Sequence, residues 1–283
     1  MEPTSYTMTT EWSTGGANPA YPSLRQAWWL IIVLFLWQIP LSIPIGALTY
    51  FSKENNWDLY GLPELVVYVA AFALTIRYGL RKRGNFQLAL APVKAITFPV
   101  VAIGTVTLGL LIEPLTSALP TPTWMQQMLE ELFSKDLIWS AVLAAPVVEE
   151  ILLRGIILDG FLKRYSPTKA IVWSAAIFGI MHLNPVQTVG AFILGLALGW
   201  LYYRTRSLWP CIFLHFINNS IGSLGLLFEE NLDMSRNYTR QWIGNDPLYM
   251  GVLIGAALIT FGCYLFLNRL LPTQTAGRDK LSH

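Results

Sequence analysis

The chain has 283 residues, 54% of them hydrophobic and 13% charged, against roughly 25% charged in soluble domains. That balance excludes an ordinary soluble enzyme and predicts an all-α fold, a polytopic membrane bundle. The net charge of +2 is too small to point to nucleic acid, and Cys211 and Cys263, both inside apolar runs, frame neither a disulfide scaffold nor a cysteine metal site.

Residues 1–25 are rich in Thr, Ser and Gly, lack a basic start, and read as a disordered cytoplasmic tail, not a cleavable signal peptide. About 20 apolar residues cross a bilayer as a helix. Eight such runs follow, at 26–51, 62–80, 95–115, 137–162, 168–184, 186–203, 207–228 and 248–271. The first is bent at Pro40 and Pro44. The fifth is short, ends at Asn184-Pro185, and turns tightly into the sixth. Residues 123–133 read as an amphipathic helix lying in the interface. The whole of 26–271 is one transmembrane domain of about eight helices, with its motifs in 137–228 and a cytoplasmic tail at 272–283.

Orientation follows from Lys and Arg in the short loops. Of the 19 basic residues, fourteen fall on one side, among them Arg25, Arg81, Lys82, Arg83, Lys163, Arg164, Arg204 and Arg206. Four, Lys53, Lys135, Arg236 and Arg240, fall on the other, and Arg154 lies within the membrane. Both termini are therefore expected in the cytoplasm.

Span four carries Glu149, Glu150 and Arg154 near its middle. Each charge at the centre of a membrane helix costs about 2.5–3.5 kcal/mol, so three cost about 8–10. The twelve Leu, Ile and Val residues from Leu137 to Leu158 return only about 4–7 kcal/mol on that scale. The segment inserts only if the charges face a polar interior, and such groups mark a functional site by default. Glu150 and Arg154, four residues apart, share a helix face and can pair. Glu149 is turned about 100° away. It is left without the arginine, free to face a water-filled cavity and to serve as a general base. Pro146, one turn earlier, opens the helix towards that cavity.

Two further constellations lie in other spans: Phe178-Gly179-Ile180-Met181-His182 in the fifth, and His215-Phe216-Ile217-Asn218-Asn219 in the seventh. His215 and Asn219 share a face. Taken singly, each piece also fits a packing role: a structural ion pair, a hydrogen-bonded histidine, an interhelical asparagine. Together, a glutamate, two histidines and an asparagine are the parts needed to activate a water and stabilise an oxyanion. Glu64 and Glu113, near the outer ends of their spans, read as helix-end carboxylates.

The ordered trio Glu-Glu-x-x-x-Arg, Phe-x-x-x-His and His-x-x-x-Asn resembles the CAAX-protease and bacteriocin-processing (CPBP, or ABI) intramembrane proteases, which include the type II CAAX prenyl endopeptidase. The resemblance covers roughly residues 137–228 and implies an intramembrane endopeptidase acting on a membrane-associated protein or peptide. By position it implies Glu149 as the base that activates water and His182 as a residue that helps hold that water. His215 with Asn219 would bind a metal or the oxyanion, and Glu150 with Arg154 would orient the site. Family members are commonly called metalloproteases, so a zinc ion on Glu149, His182 and His215 is one reading. Metal-free hydrolysis is the other, because the stronger His-Glu-x-x-His signature is missing. The expected partners are membrane lipid and a substrate, prenylated if the bearer is eukaryotic, and no nucleic acid. Oligomeric state stays open. Alternatives are a proton-coupled transporter with Glu149, His182 and His215 as its relay, which lacks the expected inverted repeats, and a non-catalytic scaffold or immunity protein. Leu158-Asp159-Gly160 resembles one motif of the site-2 zinc proteases, whose other motif is missing.

Overall fold

A computed structural model describes residues 20–57, 59, 61–122, 125, 140–228 and 236–271. They form an all-helical bundle. Its elements are α1 (Leu24–Glu54), α2 (Leu62–Arg83), α3 (Thr97–Thr116), α4, α5 (Pro167–Ile180), α6 (Pro185–Thr205), α7 (Trp209–Phe228), the short α8 (Tyr238–Ile243) and α9 (Asp246–Leu270). α4 is an unbroken run of four segments, Ser140–Ala144, Ala145–Glu150, Ile151–Leu158 and Asp159–Arg164, the first and third wound as π-helix. Eight of these helices match the eight expected spans. Five of them, α1, α2, α3, α6 and α9, are long and apolar enough to cross a membrane by themselves. The chain is an integral, multi-pass membrane protein.

α4 is the axis of the bundle. Leu152, Leu153, Ile156, Ile157, Leu158 and Phe161 are all fully buried. A helix apolar on every side has to be surrounded by others, and α2, α5, α6 and α7 do this. The α5–α6 hairpin closes on small residues. A Cβ at Gly179 would stand 2.6 Å from the Thr188 carbonyl oxygen, and one at Gly195 would stand 3.0 Å from Ala175. Such close approach is how helices pack where lipid supplies no hydrophobic drive.

The boundaries differ from expectation in three places, each for a local reason. The tail expected over 1–25 gives way at residue 20. Ser23 and Gln26 form a reciprocal capping box that starts α1, the amide of Leu24 donates to the Tyr165 hydroxyl at 3.2 Å, and the backbone of Tyr21 and Pro22 lies against Gly160. The rest of that tail, and residues 272–283, lie outside the described residues, as does nearly all of the amphipathic segment 123–133. α5 stops at Ile180, four residues early, because Leu183 takes a left-handed φ of 58° and a residue before proline avoids helical backbone. Asn184 instead caps α6 through Gln187 N. Finally, α8 interrupts the loop before the last span. Asn237 caps its start and Gly244 ends it at a φ of 64°, and Glu113 accepts from Thr239 N at 3.0 Å. Glu113, expected as a helix-end carboxylate, does lie in the last turn of α3 and binds an adjacent turn from there.

At the opposite end, Asp159 sits among cations. Lys163 Nζ lies at 2.7 Å, Arg206 Nη1 at 3.6 Å and Arg83 Nη1 at 3.8 Å. Arg83 also donates to the Gly155 carbonyl at 2.8 Å. These bonds fasten α2 and the α6–α7 turn to α4.

Candidate active site

The site is built where α2, α4 and α7 meet, with α5 alongside. Glu150 is its hub. Its Oε1 accepts from Arg154 Nη1 at 2.9 Å and from His215 Nδ1 at 2.9 Å. All three side chains are buried, Glu150 and Arg154 completely. The expected Glu150–Arg154 pair is present, and the arginine is held on two further sides. Its Nη2 donates to the Gly195 carbonyl at 3.3 Å, and its guanidinium carbon stands 4.6 Å from the Phe178 ring centroid, a cation–π distance. What spacing did not reveal is the second bond: Glu150 also orients His215. A carboxylate on Nδ1 fixes the ring and the tautomer of its neutral form, in which Nε2 is the lone-pair nitrogen.

That nitrogen faces Glu149. The His215 Nε2 to Glu149 Oε2 distance is 4.0 Å. Among the described residues Glu149 does lack an arginine, as its position on the helix implied, but its other oxygen is occupied. Tyr68 of α2 donates to Glu149 Oε1 at 2.5 Å, within the range for a hydroxyl bonded to a carboxylate. Oε2 is buried without a hydrogen-bond partner among the described residues.

His182 lies just beyond the end of α5. Its Nδ1 is 2.8 Å from the Phe178 carbonyl oxygen. A carbonyl only accepts, so Nδ1 carries a proton, and in the neutral ring Nε2 carries the lone pair. The two histidines are joined through one ring: Phe178 meets His182 edge-on at 5.2 Å and His215 edge-on at 5.5 Å. His182 bonds to the Phe178 carbonyl and to neither glutamate.

Asn219 donates from Nδ2 to the Ala141 carbonyl at 2.8 Å, and its Oδ1 accepts from Asn218 at 3.1 Å. The reason is in α4. In a π-helical turn each carbonyl accepts from the amide five residues on, and for Ala141 that residue is Pro146, which has no N–H. Asn219 supplies the missing donor. Pro146 was expected to open the helix towards a cavity; what lies beside it is a π-helical turn, and Asn219 fills the gap that the missing N–H leaves.

An open apolar groove of about 300 Å³ lies between α3, α4 and α7, and none of the polar site residues lines it. Phe98, Pro146, Val147, Trp209, Phe213 and Phe216 line it. Pro146 and Val147 are within a turn of Glu149 and Glu150, and Phe216 is next to His215.

Both histidines have Nδ1 tied and Nε2 available, the usual state of zinc-bound imidazole. Catalytic zinc takes three protein ligands. Among the described residues, however, no three His, Cys, Asp or Glu side chains come close enough to hold an ion. The geometry presents two facing donors, Glu149 Oε2 and His215 Nε2, so the residues as placed do not fit a three-ligand centre.

Tyr68 is the site residue that the motifs missed. Its one signal was depth. It lies about 9 Å inside α2, where tyrosine is less usual than at span ends.

Two comparisons bear on this arrangement. The family model described as "Type II CAAX prenyl endopeptidase Rce1-like" matches residues 127–221. "Putative membrane peptidase YdiL" of Bacillus subtilis (strain 168) is 22% identical over 245 residues, which are 81% of this chain and 98% of that protein. No solved structure matches the chain. By its three motifs and these two matches, the chain resembles the Rce1-like, CPBP-type membrane proteases, and the likeness supports a membrane protease at family level.

Proposed function

We propose that this protein is an intramembrane endopeptidase in which Glu149, paired with His215, activates the attacking water. One observation carries the reading: a buried carboxylate oxygen with no partner among the described residues, 4.0 Å from an imidazole nitrogen whose opposite nitrogen is held by Glu150. Both atoms are acceptors. A water at about 2.8 Å from each spans that gap in a bent arrangement and is oriented by both. Glu149 Oε2 takes a proton from the water as its oxygen bonds to the scissile carbonyl carbon. Glu149 then returns the proton to the amide nitrogen as the C–N bond breaks.

Glu150 and Arg154 hold His215 in register and leave no charge of the hub unpaired. His182, across Phe178, is the second imidazole available to water or to the substrate carbonyl. No step here runs through a metal. The zinc reading requires Glu149, His182 and His215 to converge on one ion, and elemental analysis decides between the two.

The substrate class follows from the surroundings. A buried polar site in a membrane bundle, with an open aromatic and apolar groove on two of the same helices, suits a peptide segment that is itself apolar or carries a lipid group. The test is cleavage of a library of short C-terminal peptides, with and without an attached prenyl group, by purified protein in detergent. Glu149→Gln is the control. Turnover in wild type and none in Glu149→Gln is expected. Equal turnover in both sinks the reading.

A further inference from the structure

The base has two oxygens, and a hydrolase needs the right one to face the water. Rotation about the terminal torsion of a glutamate is soft and nearly two-fold. Nothing in the Glu-Glu-x-x-x-Arg motif fixes it for Glu149, since Arg154 and His215 Nδ1 both bind Glu150. The contact that does fix it comes from outside all three motifs. Tyr68 Oη donates to Glu149 Oε1 at 2.5 Å. The phenol is itself set by packing one turn along its own helix, with its ring centroid 4.8 Å from that of Phe72, a core residue only 1% exposed.

We infer that Tyr68 is a positioning residue for Glu149: by occupying Oε1 it reserves Oε2 for the proton taken from water and holds that oxygen towards His215. This rests on the peptidase reading of the site. It adds α2 to the catalytic apparatus, although α2 carries none of the family motifs.

Three facts support a role beyond packing. The bond joins residues 81 positions apart, so the tertiary fold delivers it. It goes to the glutamate that lacks an arginine, where a neutral donor can orient the carboxylate without cancelling its charge. It also leaves the two oxygens unlike, one bonded and one without a partner among the described residues. A freely turning carboxylate would expose either oxygen to the imidazole.

The test is Tyr68→Phe, which keeps the ring on Phe72 and removes only the hydroxyl. Hydrogen-bond partners that orient metal-ligating side chains typically matter about 10–100-fold, and the same scale is taken for a partner that orients a catalytic carboxylate. The expected result is therefore a fall of about that size in kcat with KM changed less than about two-fold, and an unfolding midpoint within about 4 °C of wild type. A second readout monitors the bond itself. 3-Fluorotyrosine placed at Tyr68 keeps the hydroxyl, and its ¹⁹F resonance should move when Glu149→Gln is added. This holds even if Tyr68→Phe fails to fold. An unmoved resonance, or undiminished kcat in Tyr68→Phe while Glu149→Gln is inactive, overturns the positioning role and leaves the peptidase reading standing. Undiminished turnover in Glu149→Gln overturns the peptidase reading whatever Tyr68 does, and the positioning role with it.

Discussion

Glu150→Gln tests the hub directly. Glu150 Oε1 is the shared acceptor of two bonds, each 2.9 Å long, from the guanidinium of Arg154 and the imidazole of His215. The amide keeps the shape and loses the charge. Arg154 is fully buried, and stranding one member of a buried ion pair costs about 3–5 kcal/mol. The neutral Gly195 carbonyl and the Phe178 face recover only part of this. Glu149→Gln is the matched comparison. It also swaps a buried carboxylate for an amide, but no cation depends on it. Its one bond, from Tyr68, changes from charge-assisted to neutral, a loss of about 1 kcal/mol that relief of a buried charge offsets. For a chain of this size about 1 kcal/mol moves the midpoint by roughly 2–4 °C. Glu150→Gln should therefore unfold about 6–20 °C below wild type, and Glu149→Gln within a few degrees of it. The assay is thermal unfolding in detergent followed by the fluorescence of the 11 tryptophans. Removing both charges, Glu150→Met with Arg154→Met, separates stability from activity. The pair of apolar side chains should regain most of the lost stability, but peptide cleavage should stay low because His215 Nδ1 still lacks its acceptor. Equal midpoints for the two single variants, or full activity in the double variant, would refute the hub.

Other perturbations follow from the same contacts. Asn219→Ala removes the donor to the Ala141 carbonyl and should cost about 1–3 kcal/mol; unchanged stability in thermal unfolding would show that Asn219 is not a clamp. Gly179→Val places bulk against the Thr188 backbone, where little can move, and should lower folded yield on size-exclusion chromatography by splaying the α5–α6 hairpin. Extensive dialysis against chelators should leave turnover intact if Glu149 and His215 act on water alone. One equivalent of zinc by elemental analysis, with turnover lost on its removal and restored on its return, would replace that mechanism with the metal one.

How much of this was legible in the sequence divides along a physical line. Span count and helix positions were legible, because a bilayer imposes its length and apolarity on each helix separately. The Glu150–Arg154 pair was legible too, because four-residue spacing fixes a shared helix face. The motif order was enough to suggest the family that the two comparisons also point to. The limits came wherever a partner arrives from another helix. No pattern within α4 could show that Glu150 also holds His215, 65 residues on, or that Tyr68 of α2 holds Glu149. Nor could spacing show that Asn219 spends its donor on the carbonyl left bare by Pro146, or that Phe178 stands between the two imidazoles. Periodicity assigns a residue to a face of its own helix. Which face meets which is decided by how the helices pack, here by the glycines that let α5 and α6 close together and by the apolar surface that places α4 at the centre.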